Sequence, residues 1–198
     1  MRFHQRPMGR PSTVGILAGS FNPPTVAHSE LAEAAKLHLD TILLVVPSVL
    51  PHKQYFGATL AERLELLAAA GIASGCGIAT TKKGLFIDIA RECRAHYGAG
   101  VQLSFICGRD AAERVLGWDY GRPDAVREML GEFELLVAAR GGEFRPPAEF
   151  RDRIHSLTLR GDWDEVSSTE VRKRIALGEP WEHLVPEKIV DRVRKIYS

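Results

Sequence analysis

The segment TILLVV at residues 41–46 has no polar face. A strand that is apolar on both sides must be covered on both sides, which is the situation of a central strand in a parallel sheet. The same alternation surrounds it. TVGILA at residues 13–18 reads as a short buried strand, and residues 25–38 as a helix with Val26, Leu31, Ala34, Ala35 and Leu37 sharing a face. A helix at 60–73, a strand near 77–81, a helix at 87–97, a strand at 101–107, short helices at 110–116 and 124–130, and a strand at 133–139 continue the series. A strand at 154–159 and helices at 168–177 and 186–197 close it.

Regular strand and helix alternation predicts an α/β protein, a Rossmann-like doubly wound parallel sheet with helices on both faces and C-terminal helices. Residues 1–12 carry two prolines and no periodicity, so they read as a flexible lead-in to a single domain over 13–198. The Gly- and Pro-containing piece at 141–147 is short enough to be a loop within that domain.

Charge narrows the function classes. With 26 Lys+Arg against 25 Asp+Glu the net charge is +1, which excludes a broad nucleic-acid-binding face but leaves room for a local anion pocket. Cys76, Cys93 and Cys107 are odd in number and show no CxxC spacing, so neither a disulfide framework nor a zinc site is expected, and a reducing cytoplasm fits. The aliphatic run 42–46 is far shorter than the ~18 residues of a membrane span, so no membrane partner is expected. A homo-oligomer is compatible with this composition.

A doubly wound sheet binds its ligand at the carboxyl ends of its strands. The first such end reads Gly19-Ser20-Phe21-Asn22-Pro23-Pro24-Thr25-Val26-Ala27-His28. Gly19 permits close approach to the backbone, the prolines lead into a helix, and the unpaired N–H groups of that helix favour an anion. His28 lies about one turn beyond Thr25, on the same face. The segment is neither GxxxxGK[ST] nor GxGxxG. Near the other end stands Val166-Ser167-Ser168-Thr169-Glu170-Val171-Arg172, where Ser167 or Ser168 can cap a helix and a hydroxyl and the Arg172 guanidinium can converge on phosphate. Each segment alone is also an ordinary turn or cap.

Together, GSFNPPTVAH and SSTEVRKRI resemble the HxGH-type nucleotidyltransferase superfamily, with its [HT]xxH and [IV]SSTx[IV]R loops. Pro51-His52-Lys53, Gly108-Arg109-Asp110 with Trp118, and Leu184-Val185-Pro186 extend the likeness over residues 14–197, toward nicotinate or nicotinamide mononucleotide adenylyltransferases. The resemblance implies transfer of AMP from ATP to a pyridine mononucleotide, with pyrophosphate released, in NAD biosynthesis. It implies His28 as donor to the α-phosphate, Thr25 in the place of a first His, and Arg172 as a catalytic cation. Gly19, Ser20 and Phe21 would approach the phosphates and adenosine, and Ser168, Thr169 and Arg172 would hold the leaving phosphates. On the acceptor side it implies Asn22, His52, Lys53, Asp110 near a ribose hydroxyl, and Trp118 near the pyridine ring. Mg²⁺ is expected to ride on the nucleotide phosphates, with no protein metal cage.

One segment departs from the pattern. Where bacterial nicotinate enzymes carry Ser-Tyr-Thr-x-Asp-Thr, this chain has Gly84-Leu85-Phe86-Ile87-Asp88-Ile89, which keeps the aspartate and loses the hydroxyls. Nicotinate, nicotinamide and other phosphate-bearing acceptors therefore stay open. So does a non-catalytic nucleotide sensor, since Thr25 cannot supply the charge of a histidine.

Overall fold

The computed structural model describes residues 1–7, 9–48, 57–72, 75–138, 144–161 and 163–198. In chain order the elements are β1 (Arg2–Gln5), β2 (Thr13–Ala18), α1 (Val26–Lys36), β3 (Thr41–Pro47), α2 (Leu60–Ala70), β4 (Gly77–Thr81) and α3 (Phe86–Tyr97). They continue as β5 (Gln102–Gly108), α4 (Arg109–Gly117), α5 (Ala125–Glu132), β6 (Glu134–Ala138), β7 (Ile154–Leu157), α6 (Ser168–Leu177) and α7 (Val190–Tyr197), with short 3₁₀ turns between the later ones.

One seven-stranded sheet runs β1-β4-β3-β2-β5-β6-β7. From β4 to β7 every neighbouring pair is parallel. Leaving β1 aside, the order is that of a doubly wound dinucleotide-binding sheet, with the direction of winding reversing between β2 and β5. β3 is buried along its whole length, as its unbroken apolar run requires. Successive residues feed opposite layers: Leu44, Val46 and Ile106 meet α1, α2, α6 and α7, while Leu43, Val45 and Phe105 meet α3, α4 and α5. Each such large side chain contributes roughly 1.5–3 kcal/mol on burial, so the two layers hold the strand ends in place. In the second layer Phe86 stacks on Phe105 at 4.1 Å.

Four expectations are corrected. The lead-in at residues 1–12 contains β1, which pairs antiparallel with β4 at Arg2↔Thr80 and Phe3↔Ala79. Main-chain pairing to an otherwise open sheet edge orders it, and Phe3 packs against His96 at 4.2 Å. Helix α2 ends at Ala70 because Gly71 adopts φ 64°, a left-handed stop. The helix expected from residue 186 starts as a 3₁₀ turn, and β7 ends at Leu157. Among the described residues no helix is long and apolar enough to cross a membrane. Cys76, Cys93 and Cys107 are all buried free thiols.

Candidate active site

A cleft of about 670 Å³ opens at the reversal point, lined by the ends of β2 (Leu17, Ala18) and β5 (Ile106, Cys107, Gly108). This is the volume range of small-molecule sites. Gly19, Ser20 and His28 form one wall, and Leu85, Phe86, Asp110, Trp118 and Tyr120 form the other.

The wall bearing His28 is built from the loop between β2 and α1. The Gly19 N–H donates to the Val45 carbonyl at 3.0 Å, so this N–H is spent within the sheet rather than offered to a phosphate. Phe21 is fully buried at φ 46°, a left-handed conformation that costs a non-glycine residue on the order of 1 kcal/mol or more. Its ring packs against the His28 imidazole at 4.9 Å. Thr25, fully buried, caps α1, and its backbone N–H donates to His28 Nδ1 at 3.0 Å. The Thr25 hydroxyl lies 2.7 Å from the same nitrogen. An amide N–H can only donate, so Nδ1 is an acceptor and the proton of the neutral ring belongs to Nε2. Thr25 thus orients the ring and selects its tautomer.

The C-terminal loop reaches the same place from behind. Ser167 caps α6, accepting from the Glu170 N–H at 3.1 Å. Ser168 is left to donate through its hydroxyl to the Pro23 carbonyl at 2.7 Å. Arg172 donates to the Asn22 carbonyl, and to the Ser168 carbonyl at 3.1 Å. Its other nitrogen lies 3.4 Å from the Thr169 hydroxyl. The first and last motifs are therefore joined directly.

Not every expected residue faces the cleft. Gly19, Ser20, His28, Asp110 and Trp118 line it, whereas Phe21, Asn22, Thr25, Ser168, Thr169 and Arg172 are not among its lining residues. Asn22 is 5% exposed and turns its side chain to α7, where the Tyr197 hydroxyl donates to Oδ1. Asp110 is exposed in the first turn of α4, whose cap is Gly108, and Trp118 is 41% exposed. His52 and Lys53 lie outside the described residues.

Sequence reasoning missed Arg63, Arg114, Asp164 and Tyr197. Arg63 is 3% exposed and donates to the Ser20 carbonyl at 3.0 Å and the Thr59 carbonyl at 3.4 Å. Nothing local distinguishes it from a solvated charge on an amphipathic helix. Arg114 and Asp164 line the cleft; a lone charge in a helix or loop gives no sign of it. Cys107 also lines it, but burial pushes its thiol up to about 12, which removes it as a thiolate nucleophile near neutrality.

A doubly wound α/β sheet with a cleft at its reversal point places a ligand site at the strand ends, here with a helix-borne histidine among its lining residues. Residues 16–174 match the cytidylyltransferase-like family, and the chain belongs to that family. It is 33% identical to a protein of Moorella thermoacetica named as a probable nicotinate-nucleotide adenylyltransferase, with 93% of this chain and 90% of that protein covered. A protein of the same name from Bordetella pertussis is 32% identical, with 89% and 92% covered. Among solved structures, the Plasmodium falciparum nicotinic acid mononucleotide adenylyltransferase complexed with NaAD shares the fold, with a TM-score of 0.67, 16% identity, and 91% of this chain and 96% of that chain covered.

Proposed function

We propose that the chain transfers AMP from MgATP to the phosphate of nicotinate mononucleotide, forming the dinucleotide and pyrophosphate in NAD biosynthesis, with residues 13–198 acting as one nucleotidyltransferase domain. The observation that carries this reading is the His28 imidazole in the cleft wall, with Nδ1 engaged by Thr25. The names of the relatives support the choice of substrates.

In the reaction an acceptor phosphate oxygen forms a bond to the α-phosphorus while the bond from that phosphorus to the bridging oxygen breaks, and the electron pair leaves with pyrophosphate. No covalent enzyme intermediate is required. Catalysis of this kind rests on positioning and on charge stabilisation. His28 donates from Nε2 to an α-phosphate oxygen as charge builds there. Ser20 and the start of α1 take the adjoining phosphates, with Ser168, Thr169 and Arg172 beside them. Trp118 stacks on the pyridine ring and Asp110 accepts from a ribose hydroxyl. Mg²⁺ arrives with ATP; the cleft wall offers Asp110 and Asp164 as nearby carboxylates, fewer than a dedicated protein cage would need. Buried free thiols fit a cytoplasmic setting.

The test incubates the protein with ATP, Mg²⁺ and either nicotinate or nicotinamide mononucleotide, and measures dinucleotide and pyrophosphate. Absence of both dinucleotides sinks the proposal. A different acceptor is the second reading, favoured by the apolar wall at Leu85 and Phe86; a panel of phosphate-bearing acceptors reads it.

A further inference from the structure

The loop that leads to His28 is held by donors from far along the chain. Its acceptors are engaged one after another: the Ser20 carbonyl by Arg63, the Asn22 carbonyl by Arg172, the Pro23 carbonyl by Ser168, and Asn22 Oδ1 by the Tyr197 hydroxyl. Three of these donors come from α2 and the SSTxVR segment. The fourth is the last residue of α7, 175 positions beyond its partner.

The Tyr197 bond has an unambiguous direction, because a carboxamide oxygen only accepts and the phenol must donate. Burial raises the phenol above its ordinary pKa, so it keeps its proton throughout the physiological range. Between the residues held by Arg63 and Tyr197 stands Phe21, the one non-glycine residue with positive φ among those described. Such a conformation persists only where the surroundings over-determine it. Pinning Ser20 on one side and Asn22 on the other does so, and the Phe21 ring in turn packs against His28.

We propose that Tyr197 is a positioning residue of the active site: through Asn22 it fixes the Phe21 backbone and thereby the placement of the His28 ring. This rests on the functional reading above. It goes beyond it in giving a task to a C-terminal side chain that makes no contact with the cleft.

Tyr197→Phe removes the hydroxyl and keeps the ring that packs on Gly57, where a Cβ would come within 2.9 Å of it. With MgATP and the mononucleotide, kcat is expected to fall about fivefold, the equivalent of one lost hydrogen bond, with KM for ATP within about twofold, as for loss of a transition-state contact. Asn22→Ala cuts the same bond from its other end and serves if the first variant does not fold. The double variant is expected to be no slower than the slower single variant. A purely structural role would lower the melting temperature and leave kcat unchanged well below it; either wild-type kcat in the variants or kcat losses that add in the double variant overturns the proposal. A readout independent of turnover is the NMR resonance set of the His28 ring, expected to shift in Tyr197→Phe. If it does not move, the proposal fails even when the wild type makes dinucleotide. If it moves while the wild type makes none, positioning stands and the functional reading falls.

Discussion

The two ends of the cleft are built differently. At the end proposed for the phosphates, Phe21, Asn22, Thr25 and Arg63 are almost wholly buried, and four hydrogen bonds from α2, α6 and α7 converge on three residues of one loop, Ser20, Asn22 and Pro23. At the end proposed for the acceptor, Trp118 is 41% exposed, and Asp110 and Arg114 stand exposed on α4, a helix without a side-chain cap. Charge that develops on a transferring phosphate needs donors fixed before the reaction, because reorganisation would consume the stabilisation. Recognition of a ring and a ribose tolerates looser walls. The difference predicts that changes at the first end act on kcat or on folding, and changes at the second act on KM.

The sharpest break would come from His28→Ala. Turnover is expected to fall by about 10²–10³, the cost of one transition-state donor, while ATP affinity by calorimetry changes much less. Equal loss of both would erase the distinction between the ends. Arg63→Met is next: it strands the Ser20 carbonyl and is expected to cost about 2 kcal/mol, read as a lower urea midpoint with unchanged slope. Trp118→Ala should raise KM for the mononucleotide about tenfold through lost stacking, leaving KM for ATP in place; an equal rise in both would show that the acceptor end is not separate. Thr25→Val keeps the amide bond to Nδ1 and removes the hydroxyl, so kcat should drop only about fivefold. The smallest effect concerns Cys107, which lies between the two ends. Since burial raises its thiol and that of Cys93 to about 12, and that of Cys76 to about 11, all three stay protonated at pH 8, and an alkylating reagent at that pH is expected to leave activity and intact mass unchanged.

The sheet was largely legible because its signals are local. Most of the six parallel strands announce themselves as apolar runs, α-helices separate all of them but β6 and β7, and residues 41–46 alone demand a covered centre. β1 was not legible: Arg2, Phe3, His4 and Gln5 show no apolar alternation, and only the open edge of β4 makes them a strand. The stop at Gly71 was available from its residue type, but the apolar continuation through Ile72 obscured it. At the site, the motif residues were readable and their division of labour was not. Asn22 and Arg172 carry polar groups suited to a ligand, yet the fold gives each a protein partner instead. Arg63 and Tyr197 escaped notice because burial of a single side chain depends on what the rest of the chain brings against it, which no window of sequence contains.

The bond between Asn22 and Tyr197 also bears on the order of events in folding. A contact spanning 175 residues closes a very long loop, and such contacts form late, after the sheet and its local crossovers have reduced the search. The segment leading to His28 is therefore expected to receive its last support when most of the domain is already assembled, an order that φ-value analysis of Tyr197→Phe would read. During synthesis, the strand before it and the helix after it can be in place while the loop between them still lacks its final anchor. Under the proposed positioning role, full turnover then requires the last helix as well as the motif that bears the histidine.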